Sequence, residues 1–265
     1  MFDLRDTKGR VLYSSEAAKT FKEALVEAVA GNRTLPGLNL DGRDLAGLEL
    51  TGIHAPGASC RGTHLRNCNL HQAYMPNCDF TGANLGGVHA AGGNFENSNF
   101  SQAQLVAINM PGANLDGCRG KGVQACNAIL DFCSFRGADL PAINLAEASL
   151  LSTDWSNARL LAANLYNVQA MRSQMPNVLA QRAKFVNADL RWSSISGDFS
   201  FANFQGATLS GVTLCGDLNL IGAMFLEARG VGPDTSHNAV LLHLGGRKDE
   251  KKADPSVRPS VTPTR

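Results

Sequence analysis

Seven cysteines and six histidines are the side chains of this 265-residue chain that could ligate a metal or attack a substrate. Both chemistries need convergence. A structural zinc takes about four such ligands, and a nucleophile needs a base and an orienting group within hydrogen-bond reach. The spacing offers neither, because no Cys-x-x-Cys pair occurs. Cys60, Cys68, Cys78, Cys118 and Cys133 fall in register with a regular apolar pattern, where a thiol packs as a small hydrophobe. Cys126 and Cys215 stand one residue off that register and are expected to be more exposed. His54, His64 and His89 each precede an apolar position, and His71 shares a face with His89 but with no further ligand. His237 and His243 read as surface or cap residues. Asp79, Asp139, Asp154 and Asp189 sit where Asp or Asn bonds neighbouring backbone at a corner. Glycine groupings such as Gly117-Cys118-Arg119-Gly120 follow from repetition and form no phosphate loop. The expectation is a chain that is not an enzyme and holds no cofactor and no metal.

What would have to position any such site is a five-residue cell, clearest at Ala83-Asn84-Leu85-Gly86-Gly87. Stepping by five from Leu35 through Leu40, Leu45 and Leu50 to Leu190 and Ile195 gives 33 consecutive centres, nearly all apolar, with Gly120 the clear exception. A second register of small residues lies two positions earlier, including Ala58, Cys68, Ala83, Ala113, Ala138 and Ala188. A period of five fits neither the 3.6-residue helix nor the two-residue pleat. It requires a backbone that turns a corner in every cell, so that each cell points inward and is buried only by its neighbours in a stack.

This pattern of small residue, Asp or Asn, Leu or Phe, any residue, Gly resembles the pentapeptide repeat family over roughly residues 35–230. The resemblance implies an all-β solenoid, a right-handed quadrilateral β-helix with four cells per coil. Residues twenty apart then stack, and about eight coils at ~4.8 Å make a rod of ~40 Å. The resemblance also brings in the family's quinolone-resistance and gyrase-modulating members, which imitate DNA on a strongly negative surface. A DNA-mimicking modulator or protector of topoisomerase is therefore an alternative function. Charge argues against it. Residues 31–230 carry 13 basic and 14 acidic side chains, with Arg61, Arg66, Arg119, Lys121, Arg136 and Arg159 interleaved among the acids, and a dense line of phosphates is poorly imitated by that surface.

The ends read differently from the middle. Residues 1–33 predict a hairpin, with Phe2-Asp3-Leu4 and Val11-Leu12-Tyr13 flanking a turn, and then a helix. Thr20 and Glu23 form its capping box, and Phe21, Ala24, Leu25, Ala28 and Val29 give it an apolar face to cover the open first coil. Residues 34–230 form the coils, with register slips expected near Ser196–Ser200 and Cys215–Leu218. Residues 231–246 read as a short C-terminal cap and 247–265 as a disordered tail. The start lacks an apolar leader and no stretch is long enough to span a membrane, so a cytoplasmic protein is expected, with direct binding of nucleic acid not expected at a net charge of +1.

A solenoid packed with leucine and phenylalanine keeps only its outside for work. There the corners change character late in the chain, with Leu151, Leu161, Tyr166, Met171, Val186 and Trp192 replacing polar, Gly or Pro residues. Leu151 and Met171 are expected to stack on one face and Tyr166 and Val186 on the next, with Cys126 two coils below. Contiguous exposed apolar surface marks an interface. The reading is a non-catalytic interaction or scaffold protein that binds a protein partner, or a second copy in a homodimer, through these six residues. Pro36, Pro56, Pro76 and Pro176 share one column, which marks a corner without a ladder N–H.

Overall fold

The computed structural model describes residues 1–230. Its organising bond is a parallel backbone ladder with a step of twenty residues, in which Thr34 pairs with His54, His54 with Tyr74 and Tyr74 with Asn94. Three more columns repeat it, starting at Asn39, Asp44 and Glu49. Four five-residue sides therefore complete one coil, and the coils stack as a four-faced solenoid. The side itself is shorter than a strand. Each has one small inward residue, one bridging residue, one inward centre and a two-residue turn, so the solenoid expected from sequence is built mostly from single parallel bridges. At the first turn the Leu38 N–H donates to the Leu35 carbonyl at 3.2 Å, with Gly37 at φ 69°. A positive φ at the third residue is the geometry of a type II turn, which favours proline at the second. Pro36, Pro56 and Pro76 occupy that second position, which accounts for their column.

The polar residue before each centre also has a local task. Asn84 Oδ1 accepts from the Gly86 N–H at 3.1 Å, and Asn114, Asp154 and Asp189 accept from the N–H two residues on in the same way. Such a side chain ties down the entry to the turn. Asp79 does so too, to Thr81, whereas Asp139 instead pairs with Arg159.

The centres are buried and stack from coil to coil. Phe80 lies on Phe100 with ring centroids 5.0 Å apart, Phe135 on Trp155 at 4.0 Å, and Phe185 on Phe204 at 4.8 Å. The spacing follows the strand separation of the ladder. In the small register, Thr63, Cys68, Cys133 and Ser193 each donate to the carbonyl of a centre in the previous coil, at 2.8 to 3.1 Å. The Cys68, Cys78 and Cys133 thiols are therefore hydrogen-bond donors as well as packing groups. Burial pushes the Cys78 and Cys133 thiols up to about 12, so neither is a nucleophile at neutral pH. Packing is not complete throughout. Beside Ala125, where the coils on either side place Leu105 and Leu145, an apolar cavity of about 20 Å³ opens among Phe100, Met110, Leu130 and Phe135. Lacking polar partners, it stays dry.

At the N-terminus, β1 (Phe2–Arg5) and β2 (Val11–Ser15) form an antiparallel hairpin, followed by α1 (Phe21–Ala30). Thr20 Oγ1 caps α1 by accepting from the Glu23 N–H at 3.2 Å, while the Glu23 carboxylate reaches back to the Lys19 N–H rather than to Thr20. Ala24, Leu25 and Ala28 are buried. Edge protection, assigned from sequence to the helix, is shared with the hairpin. Asp6 bridges Leu38, and the Asn39 N–H donates to the Arg5 carbonyl at 3.0 Å.

Both register slips fall where extended segments replace turns. The strands β3 (Gln174–Leu179), β4 (Ser194–Asp198) and β5 (Thr213–Asn219) pair in parallel in that order. Met175 pairs with Ile195, Val178 with Gly197 and Gly197 with Leu218, so the step falls from twenty to nineteen and then rises to twenty-one. The cap expected over 231–246 and the tail expected over 247–265 lie outside the described residues.

Candidate interaction surface

Each turn projects two side chains outward: the residue after the centre and the positive-φ residue that follows it. In the opening coils the second is glycine at every turn from Gly37 to Gly62, so that position carries no side chain. From Ala142 to Trp192 the second residue is never glycine. A non-glycine residue in that conformation costs on the order of 1 kcal/mol, with Asn the least affected. The aromatic cases Phe132, Trp192 and Phe201 are all exposed.

Along the late coils the outward positions converge on one face. One corner stacks Ala162 under Gln181, Arg182 under Ser200 and Phe201 under Ile221, through backbone bonds of 2.8 to 2.9 Å. The next corner stacks Asn167 under Val186 and Gly206 under Leu226 in the same manner. Between them runs the bridge column Asn164, Lys184, Asn203 and Met224. Leu161, Tyr166 and Val186 therefore belong to one face, together with Phe201, Ile221, Met224 and Leu226, which are exposed by 57%, 58%, 52% and 65%. Those last four were missed from sequence because the centre register slips by one residue at each of β4 and β5. Counting outward positions with the nineteen- and twenty-one-residue steps would have found them.

Leu151, Met171 and Trp192 stand on a different corner. The Ser152 N–H donates to the Met171 carbonyl at 2.9 Å, so Leu151 and Met171 stack. Arg191 packs there as well, its guanidinium 3.2 Å from the Met171 sulfur and 5.3 Å from the Trp192 ring. The Asp189 carboxyl is partly desolvated, which alone would raise its pKa; hydrogen bonds from the Arg191 side chain and N–H outweigh this and hold it below the usual range. The six residues picked out from sequence therefore occupy three corners, with the Tyr166–Val186 corner between the other two.

Charged pairs lie on the sides that precede the apolar face in each coil, and Arg61 itself stands in the corner column of Leu161, five coils earlier. Arg61 meets Asp79 at 3.4 Å, Arg136 meets Asp154 at 2.5 Å and Arg159 meets Asp139 at 3.3 Å, each pair joining neighbouring coils. Among the described residues no three His, Cys, Asp or Glu side chains converge, and His54 stacks on Tyr74 with ring centroids 4.6 Å apart.

A model described as pentapeptide repeats matches eight copies, over residues 44–82, 78–117 and 183–216. This chain is a pentapeptide-repeat protein. No curated protein sequence matches it. Among solved structures, a trypsin-treated form of QnrB1, a plasmid-mediated fluoroquinolone resistance protein, is 18% identical, with 80% of this chain and 97% of that one covered and a TM-score of 0.45. HetL, a pentapeptide repeat protein involved in heterocyst differentiation regulation in the cyanobacterium Nostoc, is 22% identical over 81% and 98% of the two chains, with a TM-score of 0.33. Scores at this level carry no argument about what this pentapeptide-repeat chain binds.

Proposed function

We propose that this chain is a non-catalytic binding protein that works through one side of its solenoid, that of Leu161, Tyr166 and Ile221. The winding is taken as right-handed, the sense parallel crossovers adopt in about 98% of cases. One observation carries the reading. A rod clothed mostly in Asn, Gln, Ser and Gly gathers Leu161, Tyr166, Phe201, Ile221, Met224 and Leu226 on a single face in its last coils. Exposed apolar groups scattered singly need no explanation, but a contiguous set does. Cross-linking through lysine in cells that make the protein tests it, because Lys184 lies on this face and Lys121 lies two coils before the apolar set begins. Cross-links to other proteins should form at Lys184, and their concentration at Lys121 instead would overturn the reading.

The rival reading, a DNA-mimicking modulator of topoisomerase, is opposed by the paired arginines along the rod. Acids neutralised by Arg61, Arg136 and Arg159 do not present a line of negative charge. A gyrase supercoiling assay separates the two, with no change expected at equimolar protein.

A further inference from the structure

Among the described residues, Arg61, Arg136, Arg159 and Arg191 find a carboxylate in an adjacent coil or two residues away, whereas Arg66, Arg119, Lys121, Arg172 and Arg229 do not. Of the cations without a carboxylate, Arg182 and Lys184 lie in the middle of the apolar face. Both are exposed, and among the described residues neither has a carboxylate within 4 Å. Lys184 is flanked in its column by Asn164 and Asn203, and the residue bonded above Arg182 is Ser200. The nearest acid along the neighbouring column, Asp198, already accepts from Gln181 at 2.8 Å, Ser200 at 2.9 Å and Asn219 at 3.0 Å. Glu227 stands on the far corner in the last described coil.

We infer that this face docks an acidic, apolar segment of a partner protein, with carboxylates on Arg182 and Lys184 and large apolar side chains against Leu161, Phe201 and Ile221. The inference rests on the proposed function and adds the chemistry of the partner. Two cations ringed by large apolar groups suit a short segment that carries both kinds of side chain. A nucleic acid backbone, in contrast, is held by many phosphate contacts at once. Arginine with aromatic and aliphatic anchors is also the composition of binding hot spots, and unpaired charge at their centre selects the sign of the partner.

The test pans a random peptide display library on the full chain, with the Arg182→Glu, Lys184→Glu double variant and the Leu161→Asp, Ile221→Asp double variant as comparators. All four positions are exposed, so the variants keep the fold, and a melting curve confirms it. The expected result is enrichment of peptides that combine Asp or Glu with Leu, Phe or Trp, binding at least tenfold weaker to either variant. Apolar peptides without acidic bias, indifferent to charge reversal but lost on Ile221→Asp, overturn the acidic partner and leave the surface reading standing. Enrichment insensitive to both variants overturns both. Tighter binding of a 20-base-pair DNA duplex or of phosphatidylglycerol vesicles, lost on charge reversal, overturns the inference, as does a dimer in light scattering that Ile221→Asp dissociates.

Discussion

The first coils and the late coils solve the same turn with opposite materials. Around Gly42 and Gly52 the corner carries no side chain in the strained position, and a Cβ there would meet nothing within 4 Å. From Ala142 to Trp192 the same position holds residues such as Glu147, Arg172 and Arg182, and never glycine. Packing does not impose the difference, because the corner points to solvent in both regions. The early coils therefore minimise backbone strain and leave a bare surface, whereas the late coils accept strain and gain a dressed one. Strain kept at outward positions over eleven successive cells points to a use for those side chains.

The largest test breaks the late coils alone. Gly197 has φ 111°, and a Cβ there would lie 2.1 Å from the Val178 carbonyl oxygen. Gly197→Ala should cost more than about 3 kcal/mol, since both the conformation and the backbone contact forbid it. Because a solenoid's stability is a sum of coil and interface contributions, hydrogen exchange should rise from Gln174 to Asn219 and remain slow from Leu35 to Gly62. Uniform loss of protection over the whole rod would contradict the separation of the two regions.

A smaller effect sharpens the contrast at the turns themselves. Gly42→Ala and Gly52→Ala should each destabilise by about 1 kcal/mol through backbone conformation alone, because the added methyl touches nothing. Ala142→Gly, at φ 55°, should be neutral or stabilise by up to ~1 kcal/mol. Chemical denaturation of the three variants reads both signs, and equal signs would mean that the late turns bear no strain.

The period of five, the centres and the small register were legible because burial enforces each of them at every cell. The helix cap at Thr20 and the two slips were legible for the same reason: a missing or extra residue shifts every later centre. The single-bridge character of the sides was not, since apolar spacing reports what points inward and is silent on how many residues pair. Nor was the full apolar face. Tyr166 and Val186 could be placed by steps of twenty, but Phe201, Ile221 and Leu226 lie beyond steps of nineteen and twenty-one, and placing them requires the outward positions to be carried across both slips.

Acid should weaken the rod through the carboxylates that its hydrogen bonds hold ionised. Partial burial alone would raise the Asp154 pKa, but hydrogen bonds from Ser156 and Arg136 outweigh it and hold the carboxyl below its ordinary range; Asp198 is held down likewise by Ser200, Gln181 and Asn219. A carboxylate depressed in the folded state stabilises it at pH above the unfolded value of about 4, and the contribution fades as pH falls through the folded value. Melting temperature should therefore be flat from neutral pH to about 5 and decline below about 4, with Asp198→Asn flattening the decline. A decline that begins near pH 6 would implicate histidine instead.

The smallest effect concerns the boundary between the two regions, where two centres are undersized beside the same void. Ala125 lines the cavity of about 20 Å³, and Ala125→Val adds methyl groups into space that is already empty, which should stabilise by about 0.5–1 kcal/mol. Gly120 sits among two of the same lining residues, yet a Cβ there would lie 2.7 Å from Val123 Cγ2 and 2.9 Å from the Phe100 carbonyl carbon. Gly120→Ala therefore pushes on backbone rather than filling the void, and should destabilise although it adds less volume. Denaturant midpoints of the two variants on opposite sides of wild type would show that the cavity is a local fault of packing at Ala125, while midpoints shifted the same way would mean that the coils here relax as a unit around whatever is added.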